Sequence, residues 1–102
     1  MTLLKLDNGF SFAIEQHEKR ARLIVYKDGV ENVCRRETLK NIERFTHSDK
    51  ERIFKGRLQL YKNAGEIAVE VIGKLAGKIT TEDFTGYLEK VKNMSDNSTV
   101  QK

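Results

Sequence analysis

The chain of 102 residues has no proline, no tryptophan, one cysteine and two histidines. Without proline there is no ring-locked kink, so strands and helices can run uninterrupted. The lone Cys34 excludes an intrachain disulfide and agrees with a reducing compartment. No stretch approaches the roughly 18 consecutive apolar residues of a membrane span. The segment Met1 to Asp7 lacks the cationic, apolar and small-residue regions of a secretory signal. These absences give the expectation of a cytoplasmic protein with no membrane partner, for which the glycosylation-like Asn93-Met94-Ser95 and Asn97-Ser98-Thr99 carry no meaning.

Constellations that could do chemistry are equally scarce. His17, expected in a hairpin turn, and His47, expected between a helix and a strand, have no second histidine or cysteine at metal-ligand spacing. The stretch Gly73-Lys74-Leu75-Ala76-Gly77 matches neither a Walker loop nor a dinucleotide fingerprint, and both glycines read as turn residues. Glu82 and Asp83 are adjacent and diverge by about 100° around a helix, so they suit dipole compensation better than joint acid–base work. Cys34 stands beside Arg35 and Arg36, a setting in which a thiol can become reactive, but cysteine is among the most buried residue types and a small buried hydrophobe is expected. The expectation is a non-enzymatic protein without metal or cofactor.

What the chain does contain is a doubled pattern. Phe10, Phe12 and Ile14 alternate with Ser11, Ala13 and Glu15, predicting a strand over Phe10 to His17; Ala21, Leu23 and Val25 resume the alternation up to the turn signal Asp28-Gly29. From Phe54 onward Leu58 and Leu60 alternate, a turn falls at Lys62 to Gly65, and Ile67, Val69 and Val71 form the next strand. A shift of 44 residues superimposes Leu23 on Ile67 and Val25 on Val69; a shift of 45 after the glycine places Cys34 on Ile79, Leu39 on Phe84 and Ile42 on Tyr87. Val30 to Arg35 and Lys78 to Thr80 add a short third strand to each half. Each half closes with a helix. The second starts at Thr80 or Thr81, with Phe84, Tyr87, Leu88 and Val91 on one face; the first spans about Arg36 to Phe45, with Leu39, Ile42 and Phe45 inward and no good cap. The fold class expected is α+β, an antiparallel sheet with two helices on one face in the order β-β-(β)-α-β-β-(β)-α, a pseudo-duplicated unit. Residues 1–93 form a single domain and 94–102 a frayed polar tail.

Charge is the one asymmetric feature. Residues 15 to 62 hold 13 Lys or Arg against 8 Asp or Glu, whereas residues 63 to 102 hold 5 against 6, so the net +4 lies in the middle of the chain. The basic groups are Lys19, Arg20 and Arg22 at the first hairpin, Arg35 and Arg36 at the start of the first helix, and Arg52, Lys55 and Arg57 before the second-half strands. Alternation puts Arg22 with Tyr26, and Arg57 with Tyr61, on shared strand faces. An arginine beside an aromatic on an open sheet can hold a phosphate while the ring stacks on a base. Cations at a helix N-terminus oppose the macrodipole unless an anion binds there, which makes Arg35 and Arg36 a candidate anion site. These residues give the expectation of a small binding protein that contacts nucleic acid or another polyanion. The alternative is an adaptor or small inhibitor that docks on an acidic protein surface. A solvated charged face is the bland explanation of the same residues. A homodimer through a free edge strand or the uncovered sheet face is left open by the sequence.

Overall fold

The structure, a computed structural model, describes residues 3–48, 52–54 and 56–100, with side chains described up to Asn93. A short strand β1 (Leu4–Lys5) opens the chain, followed by β2 (Phe10–His17), β3 (Arg20–Lys27), β4 (Val30–Thr38) and the helix α1 (Leu39–His47). The same series then repeats as β5 (Arg52–Ile53), β6 (Leu58–Asn63), β7 (Glu66–Val71), β8 (Lys74–Thr80) and α2 (Thr81–Val100). The α+β class and the element order are those expected. The strands, however, form two four-stranded antiparallel sheets, β1-β2-β3-β4 and β5-β6-β7-β8, and each unit begins with an extra short strand. The backbone of α2 continues to Val100 through most of the stretch expected as a tail, and residues 101 and 102 lie outside the described residues.

Turn chemistry explains why these strands fold back where they do. Asn8-Gly9, Asp28-Gly29, Ala64-Gly65 and Ile72-Gly73 each place two consecutive residues at positive φ, the signature of a type I′ turn, whose twist matches that of the flanking strands. Each helix is capped by a threonine: Thr38 Oγ1 accepts from the Asn41 amide at 3.2 Å, and Thr80 Oγ1 from the Asp83 amide at 3.0 Å. The first helix therefore has the good cap that its sequence did not betray. It starts at Leu39 rather than Arg36 because β4 runs on to Thr38.

The two units correspond more closely than the sequence alignment implied, with a different register. Both ladders carry a bulge at matching places, between Val25 and Tyr26 in one unit and between Val69 and Glu70 in the other. Val25 pairs with Val33, and Val69 with Gly77, so the 44-residue shift persists through the third strand and superimposes Cys34 on Lys78, not on Ile79. Backbone ties repeat too. The Asp28 amide donates to the Gly9 carbonyl as Ile72 does to Arg57, and the Leu39 amide donates to Lys19 as Thr81 does to Gly65. The last pair fixes the helices at a shift of 42, which matches Ile42 with Phe84 and Phe45 with Tyr87, replacing the expected 45. The reason is one additional pair of residues on each of β2, β3 and β4. Adding residues in twos leaves the in–out alternation intact.

The inner faces of both sheets and the apolar stripes of both helices meet in one core. Phe12, Leu23 and Val25 of the first sheet join Leu60, Ile67 and Val69 of the second, with Ile42, Phe45, Phe84, Tyr87 and Leu88 from the helices. Phe12 stacks on Phe84, with ring centroids 6.0 Å apart. Gly77 is a strand residue and not the turn residue expected. A Cβ there would lie 2.7 Å from Leu6 Cβ and 3.0 Å from the Asp7 amide, so only glycine lets the β1–β2 turn lie against β8.

Candidate functional site: the outer faces of the two sheets

The outer face of the first sheet is a grid of three rungs. Glu15, Arg22 and Arg36 stand opposite one another, then Ala13, Ile24 and Cys34, then Ser11, Tyr26 and Glu31. Arg22 Nε lies 3.2 Å from Glu15 and its terminal nitrogen 3.0 Å from Glu31, two rungs further along. A side chain spanning those two carboxylates must lie flat across Ile24. Ile24 and Ala13 are accordingly sealed at 0% exposure although they face away from the shared core. Desolvation lowers the Arg22 pKa, but it is outweighed by opposing effects led by the carboxylates of Glu31 and Glu15, and the net shift is upward.

Cys34 belongs to this face and is exposed, which corrects the expectation of a buried thiol. The physical reason is the bulge, which turns Val33 inward at 7% exposure and sends the next residue outward.

The remaining candidates divide between several surfaces. Arg20 is exposed at the first position of β3, on the outer face, and Lys19 is exposed in the adjoining turn. Arg35 and Arg36 belong to β4 and not to a helix terminus, so the helix-dipole basis for an anion site there falls away. They also point to opposite faces: Arg36 is outward and exposed, whereas Arg35 is opposite Leu23 with its guanidinium 4.7 Å above the Phe54 ring. Arg52 and Tyr61 pair on the outer face of the second sheet, with the guanidinium 4.8 Å over the ring and 3.1 Å from Glu70. Arg57 is exposed in a bend before β6, and Lys55 lies outside the described residues. Thus Arg20, Arg22, Tyr26 and Arg36 come together, while Arg52 with Tyr61, Arg35, Lys19 and Arg57 lie elsewhere.

One further place bears on chemistry. A shallow cleft between α1 and α2, lined by Glu43, His47, Leu88, Glu89 and Lys92 among others, holds about 40 Å³. Small-molecule sites ordinarily hold roughly 300 Å³ or more, so this cleft does not enclose a substrate. Among the described residues no group of three His, Cys, Asp or Glu side chains is placed to hold a metal ion, and no helix is long and apolar enough to cross a membrane.

One feature went unnoticed in the sequence, the tip of the β7–β8 hairpin. Ile72 is 65% exposed and Leu75 48% exposed, and Ile72 sits at φ +50°, where a β-branched residue is strained. An isoleucine immediately before the glycine of a two-residue turn was the available signal. Comparison of the chain with protein-family models, curated proteins and solved structures finds no match.

Proposed function

We propose that the chain is a small non-enzymatic, cytoplasmic binding protein that docks on an acidic surface of another protein through the outer face of β2, β3 and β4. The observation that carries this reading is the interleaving of signs on that face. Arg20, Arg22 and Arg36 alternate with Glu15 and Glu31 around the closed Ala13–Ile24 centre. A phosphate backbone rewards an unbroken row of cations. Glu15 and Glu31 interrupt such a row and are themselves held by Arg22, which leaves the exposed Arg20 and Arg36 to meet carboxylates of an acidic protein surface. The test is a pull-down from nuclease-treated native extract. A defined complex should be retained by the wild type and lost, at least tenfold, with Arg20→Glu combined with Arg36→Glu; loss of all retained protein on nuclease treatment overturns the reading. The same purification shows a homodimer as a doubled mass.

A second reading, contact with nucleic acid, draws on Arg22 and Tyr26 sharing one sheet face with Arg36 adjacent. It requires oligonucleotide binding that weakens steeply with salt and is reduced by Arg22→Ala or Arg57→Ala. Undetectable binding in low salt removes it.

A further inference from the structure

The two units provide an internal control for the hairpin that each places between its third and fourth strands. In the first unit the turn is Asp28-Gly29, and aspartate tolerates its φ of +51°. In the second unit the same position is Ile72, at φ +50°. A β-branched side chain there works against the backbone, and at 65% exposure it gains little from burial. Folding alone therefore gives no reason for isoleucine at this position. Leu75, also outward, stands three residues away in the position that Glu31 occupies in the first unit. Ile72 and Leu75 thus crown this hairpin with two exposed aliphatic side chains, whereas the tip of the first unit carries one, Val30, 70% exposed and without a positive φ.

Two cations without a carboxylate partner among the described residues adjoin Ile72 and Leu75. The Ile72 amide is bonded to the Arg57 carbonyl at 2.7 Å, which brings Arg57 to the tip, and Lys74 follows Gly73 directly. Both cations are exposed, and neither bridges a carboxylate among the described residues. The bordering carboxylate, Glu70 opposite Leu75, is held by Arg52. Cations surrounding the tip disfavour meeting the same tip of a second copy. Two aliphatic side chains without an aromatic offer a nucleic-acid base nothing to stack on.

We infer that the β7–β8 tip is an apolar anchor, Ile72 and Leu75 flanked by Arg57 and Lys74, that inserts into an apolar depression rimmed by carboxylates on a partner protein. The anchor rests on the protein-binding reading above but uses a different surface from the β2–β3–β4 face, so the two can fail separately.

The experiment combines stability with site-specific crosslinking. Ile72→Asn, which installs a residue suited to a type I′ turn, should raise the thermal midpoint by about 4 °C. A lowered midpoint means that Ile72 serves the fold and overturns the inference. A photo-crosslinking residue at position 75, irradiated in native extract, should yield one protein adduct that is absent when the probe stands at position 30 on the other tip. The crosslinked partner peptide should combine apolar residues with Asp or Glu. Ile72→Asn and Lys74→Glu should each weaken the adduct at least tenfold, with Arg36→Glu leaving the crosslink position unchanged. No adduct, an adduct indifferent to Ile72, one to lipid, nucleic acid or a second copy, or one to a site without carboxylates overturns it. Loss of the complex with Arg36→Glu but not with Ile72→Asn leaves the sheet-face reading standing and removes the anchor.

Discussion

The first unit is longer and carries one exposed aliphatic residue, Val30, at its β3–β4 tip; the second is shorter and carries two, Ile72 and Leu75, at its β7–β8 tip. At the β3–β4 and β7–β8 tips, Asp28-Gly29 is a strong turn pair whereas Ile72-Gly73 asks isoleucine to adopt positive φ; at the β2–β3 and β6–β7 turns both units use a less favoured residue, Glu18 at φ +60° and Ala64 at φ +53°. Equivalent places also solve the same problem with different chemistry. Where Tyr87 packs beneath the first sheet, its hydroxyl accepts a 3.0 Å hydrogen bond from the Ile14 amide. At the matching place in the other unit Phe45 has no hydroxyl, and Lys62, the counterpart of Ile14, lies over its ring and donates to the Phe45 carbonyl at 2.7 Å and to the Ser48 carbonyl. One unit satisfies a strand amide; the other caps a helix C-terminus. A repeated backbone therefore does not require repeated side-chain solutions.

Exchanging residues between equivalent positions tests this comparison. The largest effect is expected from Gly77→Val, which copies Val33 into a strand pressed against Leu6 and Asp7. Overpacking against backbone should destabilise by about 3 kcal/mol or more, read by denaturant unfolding. A loss below about 1 kcal/mol would mean that the β1–β2 turn is free to move away.

Tyr87→Phe, copying Phe45, should destabilise by about 1–3 kcal/mol because the buried Ile14 amide loses its acceptor. Burial pushes the Tyr87 pKa up, partly offset by the hydrogen bond from Ile14. The folded state thus favours the neutral phenol. Its contribution is full below the ordinary tyrosine value near 10 and is lost as pH rises through the raised pKa. Unfolding measured from pH 8 to 12 should show this alkaline loss in the wild type and a reduced loss in Tyr87→Phe.

Lys62→Met keeps the stem over Phe45 but removes the ammonium from two helix carbonyls. A loss of about 1–2 kcal/mol is expected, accompanied by faster amide exchange in the last turn of α1. Smallest is the Ile72→Asn gain described above, on the order of 1 kcal/mol, and its sign is what sharpens the contrast between the two tips.

Much of this architecture can be read from alternation and punctuation. Phe10 to His17, the Asp28-Gly29 turn and the apolar stripe of α2 follow from period and turn chemistry, as does the shared face of Arg22 and Tyr26. The extent of β4 could not be read in this way. Cys34-Arg35-Arg36-Glu37 shows no apolar alternation, and its strand conformation is set by the ladder with β3, in which Arg35, Arg36 and Glu37 pair with Leu23, Arg22 and Ala21. The register between units was hidden because an added pair of residues preserves every inward and outward position. The pairing of Arg22 with Glu31 depends on a bulge that no local pattern announces. Ile72 is legible in part: its place before Gly73 is written in the sequence, whereas its positive φ and its exposure emerge from the backbone.

The hydrogen bond from Ile14 to Tyr87 joins residues 73 positions apart in the chain. During synthesis the second strand must wait, its amide still bound to water, until nearly the whole sequence has left the ribosome. Closure of the N-terminal sheet over its core is therefore a late event, and a nascent chain arrested before α2 should remain open to proteases throughout its first half.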